Sequence, residues 1–216
     1  MKEDKSIANL REDYRAKTLD ITDVLANPIQ QFKNWLQEAL QANIKEANAM
    51  TLATCVHQRP TARIVLLKGI DQKGFYFYTN YESKKGIQID DNPNVALVFL
   101  WKELERQVRI EGIAKKSSRQ QSLSYFQSRP KGSQIGAWCS PQSTIIPNRA
   151  VLTDKYKALE KVYEDQEELP LPTNWGGYCV QPTYFEFWQG RSSRLHDRIS
   201  YSLSEEKHWI LNRLAP

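Results

Sequence analysis

The sequence is poor in the residues that build metal or disulfide scaffolds. Its three cysteines, Cys55, Cys139 and Cys179, are odd in number, far apart and free of any CxxC pair. That argues against a disulfide framework and against a structural zinc site. The three histidines, His57, His196 and His208, share no paired spacing, so no metal is expected. No apolar run approaches the roughly 18–20 residues of a membrane helix. The opening Met1-Lys2-Glu3-Asp4-Lys5 is charged where a secretory signal turns apolar, so a cytoplasmic protein with no membrane partner is expected. Glycine is scarce, at 9 of 216 residues, and neither GxGxxG nor GxxxxGK[ST] occurs. Both glycine-cradle routes to a nucleotide phosphate are therefore closed. Any phosphate must be held by side-chain cations and hydroxyls, which makes the placement of Arg and Lys the informative variable.

What is present is a chain that can fold. Forty per cent of the residues are apolar and 11% aromatic, enough to bury a substantial core. Thirty basic residues against 25 acidic ones leave a formal charge of +5. A mixed, solubilising surface accounts for that excess as readily as an anionic partner does. With no basic run and no zinc-finger, RNP or helix-turn-helix signature, no nucleic acid partner is expected.

Residues 1–27 are polar and weakly periodic and read as a flexible N-terminal arm, with residues 28–216 as a single domain. Pro28 opens an amphipathic helix carrying Ile29, Phe32, Trp35, Leu36 and Leu40 at three- and four-residue intervals. Short β-rich runs follow at 50–56, 62–68 and 74–79, separated by turn compositions. A short helix is expected over 84–90, then strands over 95–100 and 105–115. In the latter, Gln107, Arg109 and Glu111 share one face and Val108 and Ile110 the other. Ser117 is placed to cap a helix that ends before Pro130. A helix over 151–163 aligns Leu152, Tyr156, Leu159 and Tyr163. Strands are expected at 177–180, 184–188, 198–203 and 208–211. Strands at short spacing with inserted helices indicate an α+β, mainly antiparallel barrel with peripheral helices.

Three groups of residues could carry chemistry. Arg63 and Lys68 bracket the apolar run Ile64-Val65-Leu66-Leu67, and strand alternation sends the two cations to opposite faces. Each is either a strand end reaching water or a separate anion contact. Tyr78-Thr79-Asn80 and Ser83-Lys84-Lys85 lie where a strand meets a helix start, so hydroxyl, amide and ammonium donors can converge there on a phosphate. Tyr125 and Arg129, four apart on one helix with Ser133 beyond it, form a second donor set. The alternative for that set is a solvated Arg at a helix C-terminus. Near the end, Arg194, His196 and Arg198 alternate as if on one strand face, giving an electropositive wall.

The strings RIVLLK (63–68), FYTN (77–80), ERQVRIEG (105–112), YFQSRPKGSQIGAW (125–138), EFWQG (186–190), RLHDR (194–198) and RLAP (213–216) resemble the pyridoxine/pyridoxamine 5′-phosphate oxidase family. The resemblance runs from about Leu10 to Pro216. It implies a homodimeric, FMN-binding split β-barrel with a C-terminal dimerisation and catalytic region. The implied reaction oxidises pyridoxine 5′-phosphate or pyridoxamine 5′-phosphate to pyridoxal 5′-phosphate with O2, releasing H2O2, and ammonia from the amine.

Carried over position by position, the resemblance gives Arg63, Ile64, Val65, Leu66, Leu67, Tyr78, Thr79, Lys84, Lys85 and Gln107 to FMN. Gln142, Ser143, Trp188 and Arg198 would complete that site from the partner subunit. Lys68, Tyr125, Arg129 and Ser133 would hold the substrate phosphate, and Arg194 and His196 would flank the substrate ring as the catalytic pair. Arg11 and Tyr14 belong to an arm segment implied to close over the substrate. Lys84 stands where relatives often carry Arg, and the arm lacks the paired arginines of some relatives. Two rival readings are a nicotinamide-dependent flavin reductase on the same barrel and a non-catalytic binder of RNA or pyridoxal phosphate.

Overall fold

Asn27 and Pro28 start the first helix as their chemistry dictates. The Asn27 side chain accepts from the backbone N–H of Ile29 and Gln30, and Pro28 occupies a position whose N–H would have no partner. In the computed structural model, which describes residues 6–10 and 12–216, this helix is α1, Pro28–Gln41. The strands are β1 (Ala49–Val56), β2 (Arg59–Leu66), β3 (Gly69–Ile70), β4 (Phe75–Asn80), β5 (Asn94–Trp101), β6 (Arg106–Lys116), β7 (Trp175–Gln189), β8 (Asp197–Leu203) and β9 (Trp209–Leu214). The remaining helices are α2 (Lys84–Asp91), α3 (Arg119–Gln127), α4 (Lys131–Cys139) and α5 (Ala150–Val162). The strands are hydrogen-bonded in the order β2-β1-β5-β6-β7-β4-β3, with β8 beside β7 and β9 beside β8. The pairs β1–β2, β3–β4, β4–β7, β7–β8 and β8–β9 are antiparallel, so the fold is α+β and mainly antiparallel, as expected.

The described chain divides into two compact units. One comprises its residues up to Ala47 with Val98–Ile110 and Thr183–Pro216; the other comprises Asn48–Leu97 and Glu111–Pro182. In the first unit α1 buries Phe32, Trp35 and Ala39. Phe32 meets Phe99 at 4.7 Å, Trp35 meets Phe187 at 5.1 Å, and Phe187 meets Tyr201 at 5.6 Å between ring centroids. Each such side chain contributes about 1.5–3 kcal/mol by leaving water. Leu40, expected on the buried stripe, is exposed, and Ala39 takes the inward position instead. The buried Arg106 lies 4.2 Å from the Trp35 ring and pairs with Glu38 at 2.9 Å, so its charge is satisfied inside.

In the second unit Phe126, Ile135, Leu169, Leu171 and Trp175 form a buried cluster. Tyr156, Leu159 and Tyr163 of the predicted α5 stripe pack against it. Along β6, buried positions alternate with half-buried or exposed ones, the pattern read from Gln107 to Glu111. The segments 177–180 and 184–188 are not separate strands: β7 runs unbroken through Pro182. Gly112 of β6 permits this, because a methyl there would collide with the Gln181 carbonyl. Among the described residues no helix is long and apolar enough to cross a membrane.

Candidate functional site

The second unit carries two clusters of candidate residues. The first gathers around Arg63 on β2. Its Nη1 donates to the Leu52 carbonyl (3.0 Å) and Thr54 Oγ1 (2.8 Å), and its Nη2 donates to Thr61 Oγ1 (2.7 Å) and Gln88 Oε1 (3.0 Å). Lys85, in the first turn of α2, donates to Gln142 Oε1 at 2.7 Å, Thr79 Oγ1 at 3.2 Å and Ser83 Oγ at 3.3 Å. Thr79 Oγ1 itself donates to Gln142 at 3.0 Å. Ser83 caps α2, and Gly86 lets the helix start lie against Tyr81, whose carbonyl would collide with any Cβ there. Every one of these acceptors is neutral. Burial pulls both cations below their ordinary pKa, and for Lys85 the charge of Arg63 adds to the effect. Two like charges are thus held by neutral groups alone, with no anion among their hydrogen-bond acceptors.

The second cluster lies on the turn between α3 and α4. Tyr78 of β4 stacks on Tyr125 of α3 at 3.8 Å, and both rings lie nearly parallel to Trp175. The Arg129 guanidinium sits 4.8 Å from the Trp175 ring and 5.7 Å from Phe126. Gln134 ties the turn by donating to the carbonyls of Gln127 and Arg129. Among the described residues, Arg129 Nη1 is a buried side-chain nitrogen without a hydrogen-bond partner. Burial lowers the Arg129 pKa and raises that of Tyr125. A cavity of about 540 Å³ opens beside Tyr78 and Tyr125, lined also by Gly69, Asp71, Tyr76 and Ser124.

Pro130 does more than end a helix. It is the N-cap of α4, a helix the sequence reading omitted, so Ser133, expected just beyond Pro130, stands in that helix's first turn. Lys68 is exposed just past β2. Of the run between the two cations, Ile64 and Leu66 are exposed, Val65 is half-buried and Leu67 is buried. Lys84 and Ser143 are exposed, and Ser143 adopts a left-handed φ of 71°.

The first unit holds the remaining candidates. Trp188 of β7 is the register partner of Arg198 on β8. The Trp188 ring lies 4.6 Å from His196 and 5.6 Å from Tyr14, whose ring is 5.8 Å from His196. His196 Nδ1 accepts the backbone N–H of Arg191 at 3.1 Å. Its pKa is lowered by burial first and then by the Arg194 charge, against an opposing pull from Asp197. A cavity of about 390 Å³ is lined by Tyr14, Arg194 and His196 together with Leu10, Glu12, Asp13, Arg191 and Ser193. Gln107 is half-buried on β6. Arg11 lies outside the described residues.

The electropositive strand face is corrected by the structure. Ser192–Arg194 form a tight turn with φ of 57° at Ser193 and 62° at Arg194, and β8 begins only at Asp197, so no alternation links Arg194 to Arg198. Arg198 is also not a bare cation. Its Nε and Nη2 each donate to the buried Glu186 at 3.0 Å, and Nη1 donates to the Ala215 carbonyl at 2.7 Å.

Sequence reasoning missed Gln88, Trp175 and Glu186. Gln88 follows Lys85 by three residues on α2 and so shares its helix face, a readable signal. Trp175 and Glu186 are placed by distant contacts and gave none. Among the described residues no group of His, Cys, Asp and Glu could hold a metal ion, and the three cysteines are free.

Two family models match. One, described as pyridoxamine 5′-phosphate oxidase, covers residues 36–163; the other, the pyridoxine 5′-phosphate oxidase C-terminal dimerisation region, covers 175–216. The chain is 55% identical to a pyridoxine/pyridoxamine 5′-phosphate oxidase of Acaryochloris marina, over 98% of this chain and 96% of that protein. It is 51% identical to one from Salinibacter ruber, over 97% and 99%. Among solved structures, PhzG from Burkholderia lata, in complex with tetrahydrophenazine-1-carboxylic acid, superposes with a TM-score of 0.86 at 27% identity, over 93% of this chain and 99% of that one. The antiparallel fold and these matches agree: the chain belongs to the pyridoxamine 5′-phosphate oxidase family.

Proposed function

We propose that this protein is an FMN-dependent oxidoreductase that converts pyridoxine 5′-phosphate and pyridoxamine 5′-phosphate to pyridoxal 5′-phosphate in vitamin B6 biosynthesis. Dioxygen is the final acceptor and is released as hydrogen peroxide, with ammonia from the amine. It is read as a homodimer that acts in the cytoplasm, the dimer being supported by the match to a dimerisation region.

The observation that carries the reading is Arg129 Nη1, a buried guanidinium nitrogen with no partner, on the turn that joins α3, which carries Tyr125, to α4, which carries Ser133. A buried donor without a protein partner is costly, and a ligand that brings an acceptor relieves that cost. A substrate phosphate does so, with Lys68, Tyr125, Arg129 and Ser133 as its donors. The neutral-partnered pair Arg63 and Lys85 suits the second phosphate, that of FMN, with Lys84, Thr79 and Gln142 beside it. Gln142 reaches Lys85 of its own chain, so within one protomer it can serve that phosphate.

FMN supplies the two-electron acceptor for the C4′ carbon of the substrate. The chain's own residues bind and orient. Tyr78, stacked on Tyr125, gives an aromatic wall to the cavity beside them. Arg194 and His196 are proposed to touch the substrate ring, with Tyr14 covering His196. Because His196 Nδ1 accepts a backbone N–H, the neutral ring carries its proton on Nε2. His196 therefore presents a donor there, and its role is to orient a substrate oxygen.

Anaerobic addition of pyridoxamine 5′-phosphate to the yellow holoprotein is expected to bleach the flavin band, and air is expected to restore it with stoichiometric peroxide. A flavin that bleaches only with a reduced nicotinamide would instead identify a reductase. A colourless protein that refuses FMN would identify a non-catalytic binder.

A further inference from the structure

We propose that Gln88 is a positioning residue that makes this protein select a phosphorylated flavin over an unphosphorylated one. It anchors Arg63 with a neutral oxygen that leaves the guanidinium charge uncancelled. The inference rests on the reading that Arg63 and Lys85 serve the FMN phosphate.

Gln88 Oε1 accepts from three donors: Thr54 Oγ1 at 2.8 Å, Thr61 Oγ1 at 2.9 Å and Arg63 Nη2 at 3.0 Å. An amide oxygen cannot donate, so both threonine protons point toward Gln88 and their lone pairs face the Arg63 N–H groups. Four of the five guanidinium N–H bonds are thereby fixed by neutral acceptors, one being the Leu52 carbonyl. The result is a closed ring of hydrogen bonds joining β1, β2 and α2 around one cation, with no carboxylate among its partners.

A glutamate at position 88 would have the same shape and would be a stronger acceptor for all three donors. It would also neutralise Arg63. Lys85, one turn earlier on α2, follows the same rule, since Gln142, Thr79 and Ser83 are all uncharged. Holding two neighbouring cations without an internal anion leaves their combined field for a dianion from outside. Riboflavin, which lacks the phosphate, draws nothing from that field.

The test compares FMN and riboflavin affinities of the apoprotein, measured by quenching of flavin fluorescence, in the wild type, Gln88→Glu and Gln88→Met. Wild type is expected to prefer FMN strongly. Gln88→Glu should fold normally and lose FMN affinity by about tenfold or more, because a charge-assisted partner of the phosphate is cancelled. Its riboflavin affinity should stay within about twofold of wild type. Gln88→Met, which removes the acceptor and keeps the bulk, should weaken FMN alone in the same way. If Gln88→Glu does not fold, the methionine variant carries the same comparison. A wild-type preference for FMN that survives in the folded variants overturns the role of Gln88 alone. A wild type that binds FMN no better than riboflavin overturns the phosphate reading of Arg63 and Lys85.

Discussion

A guanidinium withdrawn from water is stable only if something else accepts its hydrogen bonds, and Arg129 puts that requirement at the centre of the candidate substrate site. Its planar face is covered by Trp175 and Phe126, while Nη1 stays buried and unpartnered. Arg129→Met keeps the packing and removes the charge. Losing hydrogen bonds to a dianion, at roughly 1.5–3 kcal/mol each, should raise KM for pyridoxine 5′-phosphate by about a hundredfold. The kcat should change little, since the phosphate is remote from the reacting carbon. The same variant should melt no lower than wild type as apoprotein, because a desolvated cation has been replaced by an apolar group. Steady-state kinetics and a thermal melt check both halves, and a fall in kcat with constant KM would remove Arg129 from phosphate binding.

His196 makes a second prediction at this scale. Burial and Arg194 hold its pKa below the ordinary 6.5. The neutral, Nε2-protonated ring therefore persists to lower pH than in free histidine, and protonation at Nδ1 would break its bond to the Arg191 N–H. An acid limb from this residue in kcat/KM should have its midpoint below 6.5. His196→Asn should abolish that limb while keeping a donor for the substrate. The substrate phosphate titrates near pH ~6 as well, so the comparison of the two profiles, rather than either alone, decides the assignment.

At the level of elements, legibility followed locality. The start of α1 was readable because Asn27-Pro28 and the Phe32–Trp35 spacing act within a few residues. The short helix α2 was readable from its Ser83 cap and the stop before Pro93. The alternation in β6 was readable because one of its faces is buried. By contrast, α4 has Gly132 and Gly136 within nine residues, a poor helical signal. It forms because Ile135 and Cys139 are buried by tertiary packing, Ile135 in the cluster with Phe126 and Trp175. The strand alternation read through 194–198 failed for a similar reason. Positive φ at Ser193 and Arg194 is not encoded by glycine, and the pairing of Arg198 with Glu186 joins residues 12 apart on neighbouring strands. The cation positions Arg63, Lys85 and Arg129 were legible as residue types at telling spacings. Their partners Gln88 and Trp175 became visible only once β1, β2, α2, α3 and β7 were in place.

Over the full length of the chain, the N-terminal arm is held by the last strand, through contacts separated by nearly the whole sequence. Arg213 of β9 donates to Asp20 at 2.9 Å, to Asp197 at 3.0 Å and to the Leu19 carbonyl at 3.1 Å. Asp197 in turn accepts the Leu19 N–H at 3.0 Å, and Tyr201 donates to the Leu25 carbonyl at 2.7 Å. Closer to the candidate site, the Ala16 N–H meets Glu105 at 2.9 Å, and Tyr14 rests on Trp188 and His196. Arg213 is thus the hub of a latch on Leu19 and Asp20, in the same segment as Tyr14, and part of the latch is the Asp197 that adjoins His196 in sequence. Each exposed ion pair contributes little alone, about 0–1 kcal/mol, so Arg213→Ala should barely move the melting temperature. It should nevertheless free residues 12–20, speed limited proteolysis there and raise KM several-fold as Tyr14 leaves His196. FMN affinity should hold, because none of Arg213's partners, Leu19, Asp20 and Asp197, is assigned to FMN. Loss of FMN in Arg213→Ala, or unchanged proteolysis within the arm, would show that the latch does not govern Tyr14.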